Sequence, residues 1–298
     1  MRIGLLGTGP WAGLVHAPAL AAHPDVEFAG VWGRRPEAAA ELAAAHGVPA
    51  YPTVDELLAA VDAVAIALPP DVQAEYAARA AAAGKHLLLD KPVAATVDAA
   101  RAVEDAAAAS GVASVVFFTV RFGGKQAEWI DEQSDRGGWF TAHCHWIGSV
   151  FTTDSPFAAS PWRQQKGALW DVGPHALSVL LPVLGDVERV TAAPGPGDTA
   201  HLILRHTGGA SSTVTLSLTA PGEAAADGAG AELRGTAGVT RLPDRDGPPT
   251  AAFGRAIDAL LAAAATGTPH PCDVRFGRRV VEVLAQAEEQ LLGVSGRN

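Results

Sequence analysis

Over residues 1–120 the apolar positions fall in short unbroken runs, separated by longer stretches where alanines and charged residues recur at helical spacing. The runs 3–6, 26–32, 63–67, 86–89 and 112–120 predict strands. The stretches 10–22 (interrupted near Pro18), 36–46, 54–60, 72–83 and 97–109 predict helices, with Gly47, Gly84 and Gly111 closing three of them. Thr53 stands where its hydroxyl can cap the helix 54–60. Strands that are apolar throughout, alternating with amphipathic helices, predict a parallel sheet covered on both faces.

Beyond about residue 121 the period changes. Segments 137–149 and 200–219 alternate apolar and polar residues, as in "HLILRH" and "SSTVTLSLT", and predict antiparallel sheet with one face buried. Leu202, Leu204, Val214, Leu216 and Leu218 form the inward set. Ile203, Arg205, Thr213, Thr215, Ser217 and Thr219 form the outward set. Helical spacing returns at 174–184, 252–265 and 275–292, and the Gly-, Ala- and Pro-rich stretch 220–231 reads as a mobile loop. The expected architecture is α/β, with a nucleotide-binding domain over 1–120. An α+β domain with a large, mostly antiparallel open sheet is expected over 121–298.

Composition narrows the function classes. Of 298 residues, 48% are hydrophobic and 18% charged, which permits a sizeable core. A net charge of −10 argues against nucleic acid or an anionic membrane as partner. No unbroken apolar stretch long enough for a membrane span is expected, and the N-terminal run reads as a first strand rather than a signal peptide. Cys144 and Cys272 are too few and too far apart for a disulfide scaffold or a zinc site, so a reducing cytoplasm is expected.

The chemistry begins at "GTGPWA", residues 7–12, between the first strand and the first helix. Gly7 permits a tight turn, Gly9 lets a pyrophosphate approach the backbone, and Ala12 allows close helix–strand packing. Thr8, Pro10 and Trp11 complete the loop. At the end of the second strand, where an acid would hold the ribose hydroxyls of NAD, stand Gly33, Arg34 and Arg35. Guanidinium groups there suit a 2′-phosphate, which favours NADP(H), with NAD(H) possible. Leu68 and Pro69, after the third strand, turn the chain either beside the nicotinamide ribose or as a plain turn. Asp90, Lys91 and Pro92 follow the fourth strand, on the sheet edge where open α/β folds bind ligands.

In the second half, "GALWDVGPHALS" (167–178) sets Asp171 four residues before His175 among apolar neighbours. Pro174 requires a helix that starts or kinks there. The glycine loop, "DKP" and this segment together resemble the Gfo/Idh/MocA oxidoreductases along essentially the whole chain. The resemblance implies an N-terminal Rossmann domain and a C-terminal sheet domain that pairs two copies. It implies Lys91, Asp171 and His175 as the catalytic set, with the Lys91–Pro92 bond cis. The chain departs from the pattern at three places. Asp90 stands for the usual Glu, Lys166 for a Gly, and Ser178 for an Asp common among polyol enzymes, which weakens an inositol-type substrate.

The expectation is thus an NADP(H)-dependent dehydrogenase or reductase acting on a hydroxyl or carbonyl carbon of a small polar substrate, sugar- or cyclitol-like, in a homodimer. The alternatives are a non-catalytic NADP-binding sensor, or a reductase of a non-sugar carbonyl, imine or dihydrodiol. Arg121, Trp162 and Arg163 flank the expected cleft and could contact substrate. His16 reads as a packing residue. His143 and His145 share one strand face without an evident third metal ligand.

Overall fold

The computed structural model describes residues 1–151 and 154–295. Its contacts divide the chain into two units, Met1–Phe122 with Gly247–Val281, and Gly123–Asp246 with Glu282–Asn298.

In the first unit, strands β1 (Arg2–Leu6), β2 (Glu27–Trp32), β3 (Ala63–Ile66), β4 (His86–Asp90) and β5 (Ser114–Phe117) form a parallel sheet in the order β2-β1-β3-β4-β5. The order reverses at β1, so β1 and β3 diverge at a topological switch point. The connecting helices are α1 (Ala17–Ala22), α2 (Pro36–Ala45), α3 (Val54–Ala60), α4 (Pro70–Ala82) and α5 (Val97–Ser110). A wide π-type turn, Ala12–His16, leads into α1. Thr53 caps α3 as expected: its hydroxyl oxygen accepts the Glu56 N–H at 3.2 Å, a cap of about 1 kcal/mol. Helix α4 starts at Pro70, two residues before the sequence reading, because a proline needs no partner for a donor it lacks. The strand expected over 112–120 is shorter, and a 3₁₀ turn, Thr119–Phe122, follows it.

The second unit holds α6 (Gly124–Arg136), β6 (Trp139–Ile147), α7 (Pro161–Asp171) and α8 (Gly173–Leu184). These precede β7 (Val187–Pro194), β8 (Ala200–His206), β9 (Ser211–Ser217), β10 (Ala229–Gly235) and β11 (Gly238–Arg241). The six strands form one sheet in the order β11-β10-β6-β9-β8-β7. All neighbours are antiparallel except β6 and β9, which pair in parallel. Leu202, Leu204, Val214, Leu216 and Leu218 are buried, while Ile203 on the opposite face is 56% exposed. Ser217 departs from the expected outward set: it is buried, and its hydroxyl donates to Asp198 Oδ1 at 3.1 Å. The stretch read as a loop, 220–231, is shortened by β10, which begins at Ala229.

The division into units differs from the expected boundary at residue 121. Residues Gly247–Val281 were assigned to the second domain but belong to the first unit. There α9 (Pro249–Thr266) buries Phe253 against His16 and Phe117, with ring centroids 4.1 and 4.9 Å apart. The last helix, α10 (Val274–Ser295), contributes residues up to Val281 to the same unit. The segment Pro161–Leu184 matches a membrane span by length and composition alone, but it consists of the two core helices α7 and α8. Its most apolar window is 78% buried within the protein, and Gly167 (φ 63°, ψ −164°) interrupts its helical course.

Candidate active site

In the first unit the glycine loop is shaped by close approach. Gly7 has φ 130°, and a Cβ there would lie 2.3 Å from the Ala67 carbonyl oxygen, so only glycine lets β1 end beside β3. At Gly9 a Cβ would meet nothing within 4 Å, so its backbone faces open space, as a cradle for a ligand phosphate requires. Ala12 is wholly buried. These features fit a dinucleotide, whose pyrophosphate residues 7–12 would hold. Gly33 lies close to Thr8: a Cβ there would sit 2.5 Å from Thr8 Cγ2, so a larger residue would require the Thr8 side chain to shift. Arg34 and Arg35 follow it and are exposed. Leu68 and Pro69 are half-buried, and Pro69 precedes the first residue of α4.

Lys91 is half-buried just past the carboxyl end of β4, and its peptide bond to Pro92 is cis, as the resemblance implied. Its N–H donates to Asp90 Oδ1 at 2.8 Å. Asp90 Oδ2 lies 3.5 Å from Nε2 of His16, a residue with no solvent exposure that stacks on Phe253. His16 therefore packs beneath the Asp90–Lys91 corner. Arg121 is half-buried on the Thr119–Phe122 turn of this same unit.

In the second unit, α7 ends at Asp171 and α8 begins at Gly173, with Pro174 in its first turn, so the helix starts rather than kinks at the proline. A Cβ on Gly173 would lie 2.9 Å from Leu284, which accounts for the glycine between the two helices. Asp171 is buried, and its Oδ2 accepts from Arg163 Nε at 2.9 Å. The Arg163 guanidinium lies over the Trp162 and Phe157 rings, 4.6 and 4.8 Å from their centroids. His175 is half-buried, and its ring stacks on Trp146 at 6.1 Å and 17°. Ser178 donates to the His175 carbonyl at 2.8 Å, so its hydroxyl is spent on the helix backbone.

Each unit thus carries one group of sequence-predicted residues: the glycine loop, Gly33–Arg35, Asp90, Lys91 and Arg121 in the first, and Trp162, Arg163, Asp171 and His175 in the second. Three features escaped sequence reading. Trp146 sits on an alternating strand and looked like one more sheet residue. The Arg163–Asp171 pair spans eight residues across the Gly167 break, where helical spacing gives no guide. Gln73 occupies the buried stripe of α4, and an amide among alanines at helical spacing was the available signal. His143 and His145 lie on one face with ring centroids 6.3 Å apart. No cluster of three potential metal ligands occurs among the described residues.

Residues 1–118 match the family model described as "Oxidoreductase family, NAD-binding Rossmann fold", and residues 141–241 match the "GFO/IDH/MocA C-terminal domain". The chain is similar to dTDP-3,4-didehydro-2,6-dideoxy-alpha-D-glucose 3-reductase of Streptomyces antibioticus, at 31% identity over 62% of this chain and 57% of the relative. It is also similar to UDP-N-acetylglucosamine 3-dehydrogenase of Acidithiobacillus ferrooxidans, at 44% identity over 31% of this chain and 28% of that one. The chain aligns to less than two thirds of the length of these curated relatives. Among solved structures, the WlbA dehydrogenase of Bordetella pertussis, in complex with NADH and UDP-GlcNAcA, shares the fold. Its TM-score is 0.83 at 20% identity, covering 97% of this chain and 95% of that one. Matched in both its parts by the models of one family, the chain belongs to the Gfo/Idh/MocA oxidoreductases.

Proposed function

We propose that this protein is an NADP(H)-dependent oxidoreductase that interconverts a hydroxyl and a carbonyl on a sugar- or cyclitol-like substrate. The observation that carries this reading is Lys91 at the carboxyl edge of β4, in the same unit as a glycine loop whose backbone is open at Gly9. The bound nicotinamide supplies the hydride acceptor or donor. The Lys91 ammonium stabilises the negative charge that develops on the substrate oxygen. His175 exchanges the hydroxyl proton, a task suited to imidazole. Asp171, its direction set by Arg163, accepts a hydrogen bond from His175 or from a further substrate hydroxyl. Sugar substrates are the choice that accords with the relatives, named for nucleotide-linked sugars. Cys144 and Cys272 are both buried, and burial pushes the Cys144 thiol up to about 12. The test is reduction of NADP⁺ with D-glucose, myo-inositol and UDP-N-acetylglucosamine offered as hydride-donating alcohols. Reduction with none of them, and no NADPH oxidation with the corresponding ketones, contradicts the reading.

The cofactor preference rests on Gly33, which offers no acid to repel a 2′-phosphate, and on the exposed Arg34 and Arg35. Arg34→Ala is expected to weaken NADPH binding about 10- to 100-fold, the worth of a charge-assisted hydrogen bond, and to leave NADH binding unchanged. Calorimetric titration of both cofactors reads this, and equal losses contradict it.

We also propose that two copies pair through the outer face of β8 and β9, where Ile203 stands exposed among Thr213, Thr215 and His201. A twofold contact on one patch closes as a dimer, and it should bury more than about 1,000 Å². Light scattering at micromolar concentration should give twice the 30.5 kDa chain mass. Introducing Thr213→Asp with Thr215→Asp should halve that mass without unfolding the chain. Ser217 is unsuitable for this test because it is buried on Asp198. A wild-type monomer contradicts the assembly.

A further inference from the structure

The buried residues of α4 are Pro70, Gln73, Ala74, Ala77, Ala80 and Ala81, so one amide sits in an otherwise apolar stripe. Gln73 is 1% exposed. An amide offers two N–H donors and one carbonyl acceptor, and burial demands that they be used. Gln73 spends all of them on the chain segment around Lys91. Its Nε2 donates to the Asp90 carbonyl at 2.7 Å and the Pro92 carbonyl at 3.1 Å, with the Val93 carbonyl at 3.4 Å. Its Oε1 accepts the Asp90 N–H at 3.1 Å. Three carbonyls on one side and an N–H on the other admit a single orientation of the amide, since the flipped form would set oxygen against oxygen.

The arrangement has a local purpose. β4 ends at Asp90, so its ladder no longer holds the residues that follow. Lys91 lies between Asp90 and Pro92, the two residues whose carbonyls the Gln73 amide grips most closely. Its own N–H goes to the Asp90 carboxylate. The backbone on both sides of Lys91 is thereby fixed by one side chain from another element.

We propose that Gln73 is the positioning residue for Lys91: it does not touch substrate, and it sets the direction from which the ammonium reaches the reacting oxygen. This rests on the role proposed above for Lys91. Side chains lacking these donors leave the three carbonyls unanswered and let the segment move, and small displacements of a reacting group cost rate steeply.

The test is a cycle of Gln73→Leu, Lys91→Ala and the double variant, with three readouts. Gln73→Leu should lower kcat about 10- to 50-fold for the alcohol that supports turnover, while NADPH affinity by fluorescence titration stays within about twofold. Amide hydrogen exchange in the cofactor-free protein should speed up across residues 90–94 and remain unchanged across β1. In the Lys91→Ala background, Gln73→Leu should change kcat less than about twofold, because its effect runs through the missing ammonium. Multiplicative losses in the double variant, or unchanged exchange at 90–94, overturn the positioning role alone. Wild-type kcat in Lys91→Ala overturns the functional reading beneath it as well. Should Gln73→Leu fail to fold, Gln73→Asn keeps the amide one methylene short and must show the same faster exchange and the same non-additivity.

Discussion

Lys91→Ala is expected to lower kcat by about 10²–10⁴-fold while leaving NADPH affinity within a few-fold of wild type. On the proposed reading residues 7–12 hold the pyrophosphate and Arg34 and Arg35 the 2′-phosphate, so cofactor affinity should depend little on the ammonium. What the ammonium supplies is charge at the oxygen whose negative character grows along the reaction, and that contribution is absent in the ground state. The loss should therefore fall in kcat and kcat/KM together, with KM little changed. Lys91→Arg should restore little, because a planar guanidinium cannot occupy the place of a compact ammonium on a backbone held this firmly. Steady-state kinetics with a cofactor titration checks the expectation. Activity within a few-fold of wild type would return Lys91 to the role of a surface residue after a strand.

His175→Ala is expected to produce a loss of similar size, about 10²–10⁴-fold in kcat, with a different signature. The imidazole is set in the first turn of α8 and stacked on Trp146, so its direction is fixed by packing. If it exchanges the substrate proton, the variant should lose the limb of the kcat–pH profile that imidazole titration produces, and the remaining activity should rise with hydroxide. Lys91→Ala should retain that limb. A His175→Ala profile that is merely scaled down, with its shape intact, would mean that the histidine serves packing against Trp146 and that another group moves the proton.

Local order was legible wherever chemistry acts over a few residues. The β1–loop–helix start, the Thr53 cap and the helix beginning at Pro174 each follow from turn, cap and proline rules confined to one segment. Pro174 marked a helix that starts or kinks there, and the two polar residues amid Leu, Trp and Val marked the segment as more than core, while α7 before it was not legible. Pairing between distant segments was not legible. β6 and β9 are each apolar on one side, and alternation carries no sign that the two run parallel. α9 has the amphipathic spacing of any covering helix, and its contacts, such as Phe253 on His16 and Phe117, assign it to the first unit. Ser217 followed the outward period of β9 but turns inward at the strand end to meet Asp198. Gln73 hid among alanines because its partners lie 17 to 20 residues away on another element.

The central claim, hydride exchange between NADPH and a sugar carbon, is tested most directly by isotope transfer. NADPH carrying deuterium at the transferring position of the nicotinamide ring is incubated with the protein and the ketone form of each sugar, and the product is weighed by mass spectrometry. The account predicts one deuterium on the carbon that becomes the alcohol, none when Lys91→Ala replaces the wild type over the same interval, and none from solvent deuterium oxide at that carbon. NADPH that binds tightly yet delivers no deuterium to any carbonyl offered would contradict it and would leave a nucleotide-binding protein without turnover.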